Sequence, residues 1–592
     1  MRLMHRSVAA CLFGLVLSSW PVALQGAEPE KPAEKPNKIT LASISVRDDY
    51  PEGAAAEGLF GQSKPNLREL IDRLDKAAKD EKIGGVVLRL RDPQIGLAKV
   101  DEVRAAILRV RKAGKKVFAD VHSASTRDYL LATACDQIIM PESGSLMING
   151  IQAEVMFFKG LFDKLGIQAD FIQIGDFKGA SEPLTRNKMS PEFRAQFEAV
   201  INDFYEHIAE TIAKDRKIDT AEVKKLIDLG MFTAEGAREA KLIDRVAYED
   251  QWREELKKDL AVDEVAIEKD YGNKKPEDMS GMAGMMKLME SLMGGDSQRA
   301  KNSKNNRIAL VYIVGAIVTG ESTASFFGGS SVGSDTILRS LRQAEADAKV
   351  KAIVLRVDSP GGSALASDLI WREIIKSKKP VVVSMGDTAA SGGYYVSMGA
   401  KKIFVEPGTL TGSIGVVGGK LALRGLFDKL GVNSETISRG KTAGTLSITD
   451  PFSLEEREGW KRLMLTTYQQ FTTKAAEGRH MDLKKLEGLA QGRLFSGRMA
   501  VANGLVDQLG TLEDTIADAR SQAGVPTEEK IDLLILPKPR GLLEQLLGGS
   551  PVEAEIRAMA PELVDAARFA VGLRKLFAEP AVTVMPFNVR FK

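Results

Sequence analysis

Two short glycine-rich turns in the second half of the chain have the composition that acyl transfer needs. Asp358-Ser359-Pro360-Gly361-Gly362-Ser363 follows a β-rich run and precedes a helical one, so its glycines can present backbone N–H groups to developing negative charge at a helix N-terminus. A tight strand-to-helix turn would use the same residues. Ala389-Ala390-Ser391-Gly392-Gly393-Tyr394-Tyr395 sets one hydroxyl among small neighbours, where a sharp turn exposes Oγ and leaves room for a peptide backbone. A serine capping a helix is the structural alternative. A serine nucleophile needs a base, and His5, His122, His207 and His480 are all the histidines in the chain. Lysine serves instead when desolvation lowers its pKa from about 10.4 toward neutrality. Lys178, in Gly175-Asp176-Phe177-Lys178-Gly179-Ala180-Ser181-Glu182-Pro183, and Lys441, in Ser438-Arg439-Gly440-Lys441-Thr442, occupy matching places after apolar strands. Either fits, and a solvated surface lysine is the ordinary alternative for both.

The elements that must position these groups are given twice. Gly160-Leu161-Phe162-Asp163-Lys164-Leu165-Gly166 recurs unchanged at 425–431, and the segment 66–244 is echoed by 336–507. Gln94-Ile95 stands where the second copy has Gly361-Gly362, and Thr126-Arg127-Asp128 where it has Ser391-Gly392-Gly393. Folding is therefore met without those residues, which points to a site in the second copy. Apolar runs at 39–46, 85–90 and 116–120, and again at 307–318, 352–357 and 380–385, alternate with helix-period segments at 100–112 and 364–375. That order predicts repeated β-α units around a mainly parallel sheet, with sites at the carboxyl ends of strands.

The chain is too long for one core, and the repeat divides it into domains of roughly 230 residues, 38–270 and 307–537. A net charge of +2, with 44% hydrophobic and 27% charged residues, gives no reason to expect a nucleic-acid partner. With only Cys11 and Cys135, neither a disulfide between folded parts nor a cysteine-held metal is expected. Residues 1–27, with Arg2 and Arg6 before an uncharged run, predict an export signal or a retained membrane anchor. In either case the bulk of the chain lies outside the cytoplasm. Residues 28–37 form a linker rich in Pro, Glu and Lys, and 271–306 a methionine-rich linker that packs on the domains or offers an adaptable apolar surface. Residues 538–592 form an extension, expected to pack on the core, that the first copy lacks.

Asp-Ser-Pro-Gly-Gly-Ser at 358–363, Ala-Ala-Ser-Gly-Gly-Tyr-Tyr at 389–395, Thr-Gly-Ser-Ile-Gly at 411–415 and Lys-Gly-Ala-Ser-Glu-Pro at 178–183 together resemble the long, duplicated form of the signal peptide peptidase A family of bacterial membrane serine proteases. The resemblance spans about residues 38–537. It implies an α/β fold of two tandem ClpP/crotonase-like domains, and a Ser-Lys dyad with Ser391 as nucleophile and Lys178 as base. It further implies that Ser413 orients the lysine, with backbone N–H groups of Gly361 or Gly362 and of Gly392 as oxyanion donors. No cofactor or metal is implied. The partners implied are signal peptides and other apolar peptides, in a homotetramer at the bacterial inner membrane with the catalytic domains on the extracytoplasmic side. Lys441 departs from the pattern by keeping a lysine in the second copy. Two readings compete with this one. An acyl-CoA hydratase or isomerase of the same fold is disfavoured by the export signal, and a noncatalytic peptide-binding scaffold would not react with a serine-directed phosphonate.

Overall fold

The computed structural model describes residues 37–53, 65–273, 305–322 and 331–538, and the backbone of 582–584. The expected export signal, most of the methionine-rich linker and most of the C-terminal extension lie outside the described residues. Each copy builds the same six-stranded path. In the first the order is Glu264–Glu268, Lys38–Asp48, Gly85–Pro93, Lys116–Val121, Gln137–Met140 and Arg245–Val246, every neighbouring pair parallel. In the second it is Ile531–Leu536, Asn306–Val314, Val350–Ser359, Val381–Ala390, Lys402–Val405 and Gln508–Leu509, again all parallel. Parallel strands covered on both faces read as unbroken apolar runs, and Val86, Val87, Leu88, Val382 and Val383 are completely buried. Helices Leu67–Lys79, Leu97–Lys112 and Pro191–Arg216 cover the first sheet, and Ser334–Ala346, Ala364–Lys376 and Leu454–Gly478 take the equivalent places in the second.

Two differences from the expected elements bear on the site. The run at 307–318 is two strands, Asn306–Val314 and Ala316–Val318, broken at Gly315, whose φ is 87°. The strand expected to end at 385 continues to Ala390 and delivers the chain directly to Ser391.

The copies also interlock. Gln168–Ile174 of the first pairs antiparallel with Val416–Ala422 of the second over seven residues. Those two strands belong to a smaller sheet ordered Ser331–Gly333, Ala316–Val318, Gly361–Ser363, Val582–Val584, Val416–Ala422 and Gln168–Ile174. Across the same boundary Arg356, completely buried, bonds Glu52 at 2.7 Å and Glu102 at 2.9 Å. Removing one partner of such a pair would leave an uncompensated buried charge, so this contact ties the halves firmly.

Candidate active site

Ser391 sits where the long strand Val381–Ala390 turns into the short helix Gly392–Ser397. Its backbone, at φ 56° and ψ −111°, is outside the conformations that non-glycine residues favour, a strain of roughly 1–3 kcal/mol that the surroundings must hold. They do so through Ser391 N–H to Gly412 O at 2.8 Å and Tyr395 N–H to Ser391 O at 2.8 Å. The first copy has no such elbow. Its Ser125 is an ordinary extended N-cap with a capping box to Asp128, and Thr126 is already inside the helix.

The turn expected to supply oxyanion donors is held as closely. A Cβ on Gly362 would lie 1.9 Å from Ile317 O, so no other residue fits there. Gly362 lies in the sheet between Ile317 and Thr583. The N–H of Gly361 donates to Ser359 Oγ at 3.1 Å, and that hydroxyl donates to Gly315 O at 2.6 Å. Gly392 is the first residue of its helix, where backbone donors have no partner within the helix.

Lys178 reaches this elbow from the first copy, 213 positions away, with Nζ 2.7 Å from Ser391 Oγ. Nζ also lies 2.9 Å from Ser413 O and 2.9 Å from Ser413 Oγ. Ser413 is itself held at φ 54° by its N–H on Arg493 O at 2.6 Å. Burial alone holds the Lys178 amine well below the usual lysine range. A neutral amine has two N–H donors, which match the two Ser413 oxygens, and one lone pair, which can accept the Ser391 proton. Lys441, the matching lysine of the second copy, is exposed in the Gly440–Thr442 turn.

The sequence reading missed the seat of the lysine. Gly492 packs so closely that a Cβ there would be 2.5 Å from Lys178 Cα, and its φ of +83° suits glycine. Phe177 N–H donates to Gln491 O at 2.9 Å, and the Arg493 guanidinium lies 3.8 Å from the Phe177 ring centroid. Gln196 bridges the halves, donating to Phe177 O at 2.8 Å and accepting from Leu494 N–H at 3.1 Å. The available signal was another asymmetry of the repeat: Gln491-Gly492-Arg493 stands before the strand Leu494–Ser496 where the first copy has Asp228-Leu229-Gly230 before Met231–Thr233.

A buried serine on a strained elbow, a desolvated lysine against it and adjacent backbone N–H groups are the equipment of a serine hydrolase. The model of peptidase family S49 matches residues 109–263 and 373–526. The chain is 34% identical over 522 residues to the chloroplastic serine protease SPPA of Arabidopsis thaliana, covering 88% of this chain and 74% of that one. It is 31% identical over 569 residues to Protease 4 of Salmonella typhi, covering 92% and 87%. Among solved structures, a ClpP1 mutant from Listeria monocytogenes matches 36% of this chain and 94% of its own, at 16% identity and a TM-score of 0.24. The chain belongs to peptidase family S49: it is a serine protease, with the family model matched once in each of its two α/β copies.

Proposed function

We propose that Ser391 is the nucleophile and neutral Lys178 the general base. The observation that carries this is the 2.7 Å contact between Lys178 Nζ and Ser391 Oγ in a pocket where burial disfavours the ammonium form. Lys178 takes the hydroxyl proton as Oγ attacks a peptide carbonyl, and backbone N–H groups of Gly392 and of the Gly361-Gly362 turn donate to the oxyanion. The amine returns the proton to the leaving nitrogen, and water then hydrolyses the acyl-enzyme. Ser413 orients the lysine. Ser391→Ala is expected to abolish hydrolysis of an apolar reporter peptide and labelling by a serine-directed phosphonate while the melting temperature holds. Retention of more than a few per cent of activity in the folded variant would exclude the assignment.

The substrates proposed are cleaved signal peptides and similar apolar peptides, bound as an extended strand. The support is a place one strand wide between Gly361–Ser363 and Val416–Ala422, occupied here by Val582–Val584 running antiparallel to Gly361–Ser363. Main-chain pairing in such a place binds a peptide largely irrespective of its side chains. We assign residues 38–270 and 307–537 as the two domains and the extracytoplasmic face of the bacterial inner membrane as the location. No helix among the described residues is long and apolar enough to cross a membrane; the anchor proposed is residues 1–27, which lie outside them.

We propose assembly as a homotetramer, and two unpaired segments support contact between copies. Ile151–Phe157 is the first-copy equivalent of Val416–Ala422, and Asn433–Ile437 is the second-copy equivalent of Gln168–Ile174, yet neither is in a strand here. Gln152, Glu154 and Met156 are exposed and alternate with half-buried Ile151, Ala153 and Val155, as in a strand lacking its neighbour, and Ile437 is 91% exposed. The first segment of one copy and the second of the next would complete each other, repeating between chains the pairing already made within one.

A further inference from the structure

Three charged side chains stand behind the oxyanion turn and the nucleophile's strand, and they come from both halves. Lys99, near the start of helix Leu97–Lys112, lies 3.5 Å from Asp358 and 3.4 Å from Asp387. Its backbone N–H also donates to Asp387 Oδ1 at 3.2 Å, and Gly96 packs so tightly there that a Cβ would meet the Asp387 carboxyl carbon at 2.2 Å. Asp358 opens the turn that runs to Gly362, and its Oδ1 accepts the N–H of Thr388 at 3.1 Å, three residues before Ser391. Its carbonyl accepts from Gly315 N–H at 2.9 Å. The Lys99, Asp358 and Asp387 side chains are only 13%, 15% and 23% exposed. In the first copy Arg91 and His122 hold the corresponding places, so the fold does not itself require this arrangement. One lysine thus joins the strand that leads into the Gly361-Gly362 turn, the strand that leads into Ser391, and the half that supplies Lys178.

We propose that Lys99, bridging Asp358 and Asp387, is a positioning residue that fixes the oxyanion turn and the Ser391 elbow against the half carrying Lys178. The inference rests on the Ser391–Lys178 reading above. Misplacement of reacting groups by about 1 Å can lower the rate roughly a hundredfold without contact with substrate. Lys99→Met in the full chain is therefore expected to lower kcat about ten- to a hundredfold with KM changed less than about threefold, and Lys99→Arg to recover most of it. Asp358 is faced by Lys99, Asp387, Glu52 and Arg356, and its carboxyl is pushed up to about 6 by burial, against the pull of Lys99. Below that pH it becomes neutral and the bridge to Lys99 weakens. The acid limb of wild-type kcat should then fall faster than one proton on Lys178 allows, and Asp358→Asn should leave the single-proton slope.

A wild-type kcat in Lys99→Met, or an acid limb unchanged by Asp358→Asn, overturns the proposal. If Lys99→Met does not fold, the comparison of wild type with Asp358→Asn decides alone. Failure of the underlying reading is distinguishable, because Ser391→Ala or Lys178→Met would then remain active whatever the Lys99 variants do.

Discussion

At the residue scale, Lys178 is kept in a place that folding alone would not choose for it. Its amine is completely surrounded, makes three contacts with serine oxygens, and is held by burial well below the usual lysine range. Between that lowered value and about 10.4 the unfolded chain binds a proton that the folded chain does not, so stability rises with pH through this window. Lys178→Met removes the group that carries this penalty. The variant is expected to be inactive yet to melt at a higher temperature than wild type at pH 7, with the gap narrowing as pH approaches 10. Calorimetric melts across pH check this, and an equal gap at all pH values would count against a neutral lysine. Activity should likewise rise from acid to mildly alkaline pH, as the amine loses its proton.

At the element scale, the strand place between Gly361–Ser363 and Val416–Ala422 is the proposed seat of the substrate. Adjacent strands lie about 4.8 Å apart, so only one extended chain fits, and Val582–Val584 holds it here. A segment tethered to the same chain competes at high effective concentration. Truncation after residue 538 is expected to lower KM for an extended apolar peptide and to leave kcat close to wild type. Steady-state kinetics of the truncated chain give the answer, and a raised KM would mean that the tail strand builds the binding place and does not compete for it.

At the scale of the whole molecule, neither half holds both members of the proposed dyad. Lys178 crosses to Ser391, Gln196 to Leu494 and Glu102 to Arg356, and a seven-residue antiparallel pairing joins the copies. Residues 38–270 and 307–592 expressed separately should each be inactive, with cleavage restored on co-expression if they associate. Activity of the second half alone would move the base to Lys441. The exposed Asn433–Ile437 segment carries a separate expectation: Ile437→Asp should shift the sedimentation of the proposed tetramer to smaller species with an unchanged melt of the single chain, because Ile437 makes almost no contact within it.

Much of this was legible in the residues themselves. The duplication, the alternation of buried strands and helices, the Gly361-Gly362 turn and the small-residue setting of Ser391 are local patterns, and local sterics and apolar periodicity act over a few positions. Comparing the copies also separates what folding needs from what only the second copy has. Ser413 and the role of Gly392 came from resemblance to a family, not from spacing. The preference for Lys178 over Lys441 came from that resemblance too, since both follow apolar strands at equivalent places. What differs is desolvation and distance to a hydroxyl, and both depend on contacts between segments more than two hundred residues apart. For the same reason the Gln491–Arg493 seat and the Lys99 bridge emerge only in three dimensions, because their meaning lies in which half each residue meets.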